Sequence, residues 1–133
     1  MSLSVLSVAY PLAPVTADPV GGAEQVLARL DRALTAQGHR SLVIAPEGSR
    51  VAGELLPIPA VSGPIGEAET AHVHAAVRER LREAVARHRP DVIHLHGIDF
   101  PAYLPESGPP VLVTLHLPLD WYLPEALAPR LGV

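Results

Sequence analysis

The chain has no cysteine and no lysine, and only one methionine, one tryptophan and one phenylalanine. Without thiols it can form neither a disulfide framework nor a thiolate metal site, and a reducing compartment fits that composition. All ten basic residues are arginines, set against 14 acidic ones for a net charge of −4, which argues against nucleic acid as a partner because counterion release needs a basic face. No apolar run approaches the roughly 20 residues needed to cross a bilayer. The apolar start, residues 1–17, ends in Val15-Thr16-Ala17 in the manner of a secretory leader. It lacks a basic beginning, however, and Pro11 and Pro14 interrupt it, so it reads as part of the folded domain and the chain as cytoplasmic.

What is present is enough for one hydrophobic core: 133 residues, 48% of them apolar, give a single domain over 1–133. Leu3 to Tyr10 is a nearly continuous apolar run stopped by Pro11, the pattern of a strand buried on both faces. After a Pro/Ala/Thr/Asp loop and Gly21-Gly22, the residues Ala23, Leu27, Leu30 and Leu34 recur at helical spacing, and Gly38 supplies a left-handed stop. Ser41–Ala45 is a second strand and Leu55–Ile58 a weaker third, held between prolines. Glu67 to His88 is a second helix with Val73, Val77, Leu81, Ala84 and Val85 inward. Its arginines form a solvated face in which Glu83 can pair with Arg87. Asp91–Leu95 and Val111–Leu115 are further strands, with one helical turn between them. Strands alternating with helices imply right-handed crossovers and a doubly wound, largely parallel α/β sheet.

In such a sheet ligands bind beyond the carboxyl ends of the strands, where the strand order reverses. Three stretches end there: the loop from Tyr10 to Gly21-Gly22, the pair His94 and His96, and Thr114 to Asp120. Gly21 and Gly22 precede a helix whose first N–H groups lack intrahelical partners. They read either as a bare backbone that admits a phosphate or as a flexible turn. No G-x-G-x-x-G is present. His94 and His96, two apart on a strand, share a face. That spacing suits an H-x-H metal pair, but the preferred assignment is a hydrogen-bonded core His94 and a pocket-lining His96, because no spacing of Asp99, His116 and Asp120 demands coordination. His72 and His74, near a helix start, point apart and read as solvated. His116, one residue past a buried strand, projects into the crevice, as a ligand contact or as a loop-bonding histidine.

Val5–Tyr10 followed by Gly21-Gly22-Ala23-Glu24-Gln25 and a helix ending in Gly38-His39 resembles the start of family 4 glycosyltransferases. Arg89-Pro90-Asp91-Val92-Ile93-His94-Leu95-His96-Gly97 is similar to their "R-P-D-V-I-H-x-H" strand, and Val111-Leu112-Val113-Thr114-Leu115-His116 to their "V-x-T-x-H" strand end. The resemblance implies the N-terminal, acceptor-side Rossmann-like half of a GT-B fold. It implies a retaining enzyme that uses a nucleotide-sugar and needs no cofactor and no metal. It assigns the donor diphosphate to Gly21 and Gly22, contact with the transferred sugar to His116, and the walls for a small-molecule, lipid or glycan acceptor to Tyr10, His96, Asp120 and Trp121. The donor-binding second lobe with its E-x7-E carboxylates is absent, so the isolated chain is expected to transfer no sugar, and its sheet edge to invite association. Ile44-Ala45-Pro46-Glu47-Gly48-Ser49, with Gly53 and Pro57-Ile58-Pro59, resembles a bacterial subgroup acting on pterins. The alternatives are a GT-B sugar-nucleotide epimerase, a non-catalytic binding domain, and a metal hydrolase built on His94, His96, His116 and Asp120. The transferase reading requires Gly22 and His116 on one rim of the sheet.

Overall fold

The computed structural model describes residues 1–13, 15 and 21–133. Thr16 and Ala17 of the leader-like stretch, and much of the loop after Tyr10, lie outside the described residues. Five strands form one parallel sheet, β1 (Ser4–Val8), β2 (Arg40–Pro46), β3 (Glu54–Ile58), β4 (Val92–Leu95) and β5 (Val111–Val113), in the order β3-β2-β1-β4-β5. Helix α1 (Gly22–Ala36) and helix α2 (Glu67–His88) supply the crossovers, and short 3-10 turns cover Phe100–Ala102, Leu119–Trp121 and Pro124–Leu127. The chain runs outward from β1 to β3 and then returns to lay β4 against the free side of β1. The order therefore reverses between β1 and β4, which is where a doubly wound sheet opens a crevice. No helix among the described residues is long and apolar enough to cross a membrane.

Alternation along the strands divides the core into two layers. Leu42 and Ile44 of β2 face α2, packing with Val73, Val77, Leu81 and Ala84, whereas Val43 and Ala45 face α1 and meet Leu27 and Ala28. Both faces of the central strands are thus buried, which is why their sequences read as unbroken apolar runs. Register carries the same division to the histidines. Ser7 is level with Val43 on one side and with His94 on the other, and His94 is level with Leu112. His94 consequently lies on the face that α1 covers over β1 and β2, and His96, two residues on, shares it.

Several expectations change. On α1, Leu30 is turned outward and Asp31 takes the inner position, because the helix presents Leu27, Ala28 and Asp31 to the sheet. β1 ends at Val8 and β5 at Val113, so Tyr10 and His116 stand two and three residues beyond their strands. β5 is moreover an edge strand, with Leu112 53% exposed, and not a buried one. Part of its outer edge is closed by the chain itself, since the Val111 N–H donates to the Gly132 carbonyl at 2.8 Å. Glu83 pairs with Arg80 at 3.1 Å, not with Arg87, while Arg80 also donates to the Pro57 carbonyl at 2.8 Å and fastens α2 to β3. Within the Arg89-Pro90-Asp91 stretch the roles are architectural: Arg89 ends α2 in the left-handed region (φ 47°) and Asp91 accepts the Ser4 N–H at 2.8 Å, aligning β4 with β1.

Candidate functional site

Three imidazoles form a column at the carboxyl ends of β4 and β5. The His94 and His96 ring centres are 3.9 Å apart, and His96 lies nearly parallel to His116 at 5.3 Å. His94 Nε2 is 2.6 Å from Thr114 Oγ1, and His96 Nδ1 is 3.1 Å from His116 Nε2. The column follows from register, because β4 and β5 are parallel neighbours and His94, His96 and Thr114 fall on one face. Burial lowers the pKa of all three histidines. His96 is pushed down to about 3 by burial, with His94 and His116 adding to the shift. At His116 the nearby Glu24 carboxylate opposes the effect of burial. All three rings are therefore neutral near pH 7.

Glu24 ties this column to the other half of the rim. It sits in the first turn of α1, and its charge acts on both His116 and Tyr10. The charge at the start of α1 thus reaches both Tyr10 and His116. Gly21 and Gly22 differ in their surroundings. The Glu24 carboxylate folds back into the space a side chain at Gly21 would take, while the corresponding space at Gly22 is open. The helix start therefore carries its own carboxylate, and a second anion arriving there must share the helix end with Glu24 or move it aside.

Behind the rim, Asp99 organises a second cluster. It accepts from the Tyr103 hydroxyl at 2.7 Å and lies 2.8 Å from His74 Nε2. His74 is accordingly not the solvated histidine expected of its helix position. Burial, with the charge of Asp99, raises the pKa of Tyr103, and burial followed by Asp99 and Glu24 raises that of Tyr10. Gly97 sits against this cluster, where an added Cβ would strike Asp99, lie 2.5 Å from the Tyr103 hydroxyl and approach the Tyr10 Cα to 3.4 Å. Gly97→Ala is therefore expected to cost about 1–3 kcal/mol by overpacking. Thermal unfolding checks it, and a variant as stable as the parent would show that the cluster yields.

Among the sequence candidates, Tyr10, His96, His116 and the glycine helix start come together. Asp120 and Trp121 do not join them: both are exposed on the turn after His116, Trp121 to 62%, with no hydrogen bond or ring contact to the column among the described residues. The metal-hydrolase arrangement does not form. His96 and His116 face each other, His94 faces Thr114, and no group of three or more ligating side chains suited to a metal occurs among the described residues. Sequence reasoning missed Glu24 and the Asp99–His74–Tyr103 cluster. An acidic residue three positions after a helix cap was a legible signal for Glu24, but nothing in the spacing joins position 74 to 99. A groove of about 610 Å³ lies elsewhere, between α2 and residues 103–108.

Comparison with known proteins accords with this geometry. A sequence-family model described as Glycosyltransferase Family 4 matches residues 20–132. Among solved structures the chain is similar to the catalytic domain of starch synthase IV from Arabidopsis thaliana bound to ADP and acarbose, with 19% identity and a TM-score of 0.51. The likeness covers 71% of this chain and 28% of that one, and it shows the fold, a Rossmann-like half of the GT-B kind. No curated protein matches.

Proposed function

Because the chain belongs to glycosyltransferase family 4, we propose that it is the N-terminal, acceptor-side domain of an enzyme that moves a sugar from a nucleotide-sugar to an acceptor with retention of configuration. The observation that carries this reading is the meeting of the α1 start, through Glu24, with His116 and Tyr10 on one rim at the strand reversal. That rim forms half of a cleft, and a donor-binding lobe facing it supplies the other half. The chemistry this half contributes is positioning and charge stabilisation: helix-end N–H groups at Gly22 toward the donor diphosphate, and His116 toward the transferred sugar. The diphosphate displaces Glu24 from the helix end as it docks. Tyr10 shapes the acceptor side, and buried His96 supports it through His116. No metal enters this scheme.

A transferase family match favours transfer over epimerisation and over a purely binding role. The finer reading, glucosyl transfer to a pterin, rests on the Ile44–Ser49 stretch at the end of β2 with Gly53 and Pro57-Ile58-Pro59. Association at a membrane surface or through the exposed part of β5 is compatible with the same cleft. The test is nucleoside diphosphate release. The 133-residue chain alone is expected to release none from a nucleotide-sugar and acceptor, whereas a polypeptide joining it to a donor lobe turns over. Steady turnover by the chain alone would refute the two-lobe cleft.

A further inference from the structure

The His96 ring is 1% exposed, and its two nitrogens differ sharply in their surroundings. Nδ1 faces His116 Nε2 at 3.1 Å, while Nε2 is buried without a hydrogen-bond partner. His116 is only partly buried, and its Nδ1 makes no hydrogen bond among the described residues.

Both rings are neutral near pH 7, so each carries one N–H, and one proton bridges the contact between them. Two arrangements satisfy that contact. If His116 donated from Nε2, the only N–H of His96 would lie on its Nε2, buried with nothing to accept it. If His96 donates from Nδ1, the unpartnered atom is a lone pair instead. Buried N–H groups without an acceptor are the rarer and costlier defect. We infer that His96 is a positioning residue: it donates from Nδ1 to His116 Nε2 and so fixes His116 with its own proton on Nδ1, the nitrogen turned away from His96.

His116 then meets a ligand as a hydrogen-bond donor. It selects an oxygen acceptor, such as a hydroxyl or phosphoryl oxygen, and at that atom it takes up no proton. That the ligand is a glycosyl donor rests on the function proposed above; the tautomer itself does not.

Two-bond 1H–15N correlation spectra of the 15N-labelled chain, recorded above the imidazole titration range, decide the matter without substrate. His96 and His116 are both expected to show protonated Nδ1 and unprotonated Nε2. A protonated Nε2 on His116 would overturn the inference. In His96→Phe, which keeps a flat ring but removes the donor, the His116 proton is expected to move to Nε2. Retention on Nδ1 in that variant would show that His96 does not set it. If the variant fails to fold, the parent spectrum alone decides. Should a polypeptide joining this domain to a donor lobe fail every transferase assay while the chain shows the expected tautomers, this inference stands and the functional reading alone is overturned.

Discussion

Asp31→Ala is expected to lower the stability of the domain by about 3–4 kcal/mol, read by urea or thermal unfolding. Asp31 is 3% exposed and accepts three hydrogen bonds: from the Ser41 hydroxyl at 2.7 Å, the Ala52 N–H at 2.6 Å and the Gly53 N–H at 3.1 Å. Alanine strands all three donors at once, and bonds to an ionised acceptor are the stronger kind. The donors cannot easily turn to water, because Gly53 lies so close to Ser41 that a Cβ at 53 would come within 2.9 Å of the Ser41 carbonyl carbon. The consequence reaches the rim. α1 is held to the sheet by two apolar residues, Leu27 and Ala28, and by this carboxylate, so losing it also loosens the helix whose first turn carries Glu24 toward His116. A loss below about 1 kcal/mol would mean that the donors find other partners.

His116→Ala, made in an enzyme that joins this domain to its donor lobe, is expected to reduce turnover about 10²–10³-fold, the usual effect of deleting one donor aimed at the charge or substrate of a transfer reaction. The effect on folding should be modest, about 1–3 kcal/mol, because His116 is only partly buried and its one side-chain hydrogen bond among the described residues, to His96, leaves a buried His96 nitrogen unpartnered when lost. Measuring rate and melting temperature on the same preparation separates the two. An unchanged rate would remove His116 from the mechanism, and a collapsed fold would assign it to architecture. Asp99 and Tyr103 offer a contrast, since their mutual hydrogen bond lies behind the rim and their loss falls first on stability.

The motifs shared with the glycosyltransferases divide along the same line. Arg89 and Asp91 terminate α2 and align β4 with β1, and Gly97 permits close packing against Tyr10, so the amino end and exit of that stretch are architectural. Of the histidines in these motifs, only His116, partly exposed beyond the end of β5, is placed for a ligand, with buried His96 beside it. A run of matching letters is thus a mixture of fold and site, and only placement along the strand separates them.

By itself the sequence determined the alternation of strands and helices, the span of α2, the turn at Gly38 and the side of the sheet at which Tyr10, His96 and His116 leave their strands, though not where those strands end. These are local matters: apolar period, prolines and glycines act over a few residues, and β2 reads as a continuous apolar run because both of its faces are covered. Tertiary structure alone decided that Asp31 and not Leu30 faces inward, that β5 is an edge, that His74 meets Asp99, and that His96 faces His116 at 3.1 Å. Each of those depends on register and on which helix covers which face, quantities set by contacts between segments 20 or more residues apart, as the separations of 25 for His74–Asp99 and 20 for His96–His116 show. No period in the chain records such a distance, because hydrophobic packing of whole elements sets it, and the polar side chains take up the partners that the packing leaves beside them.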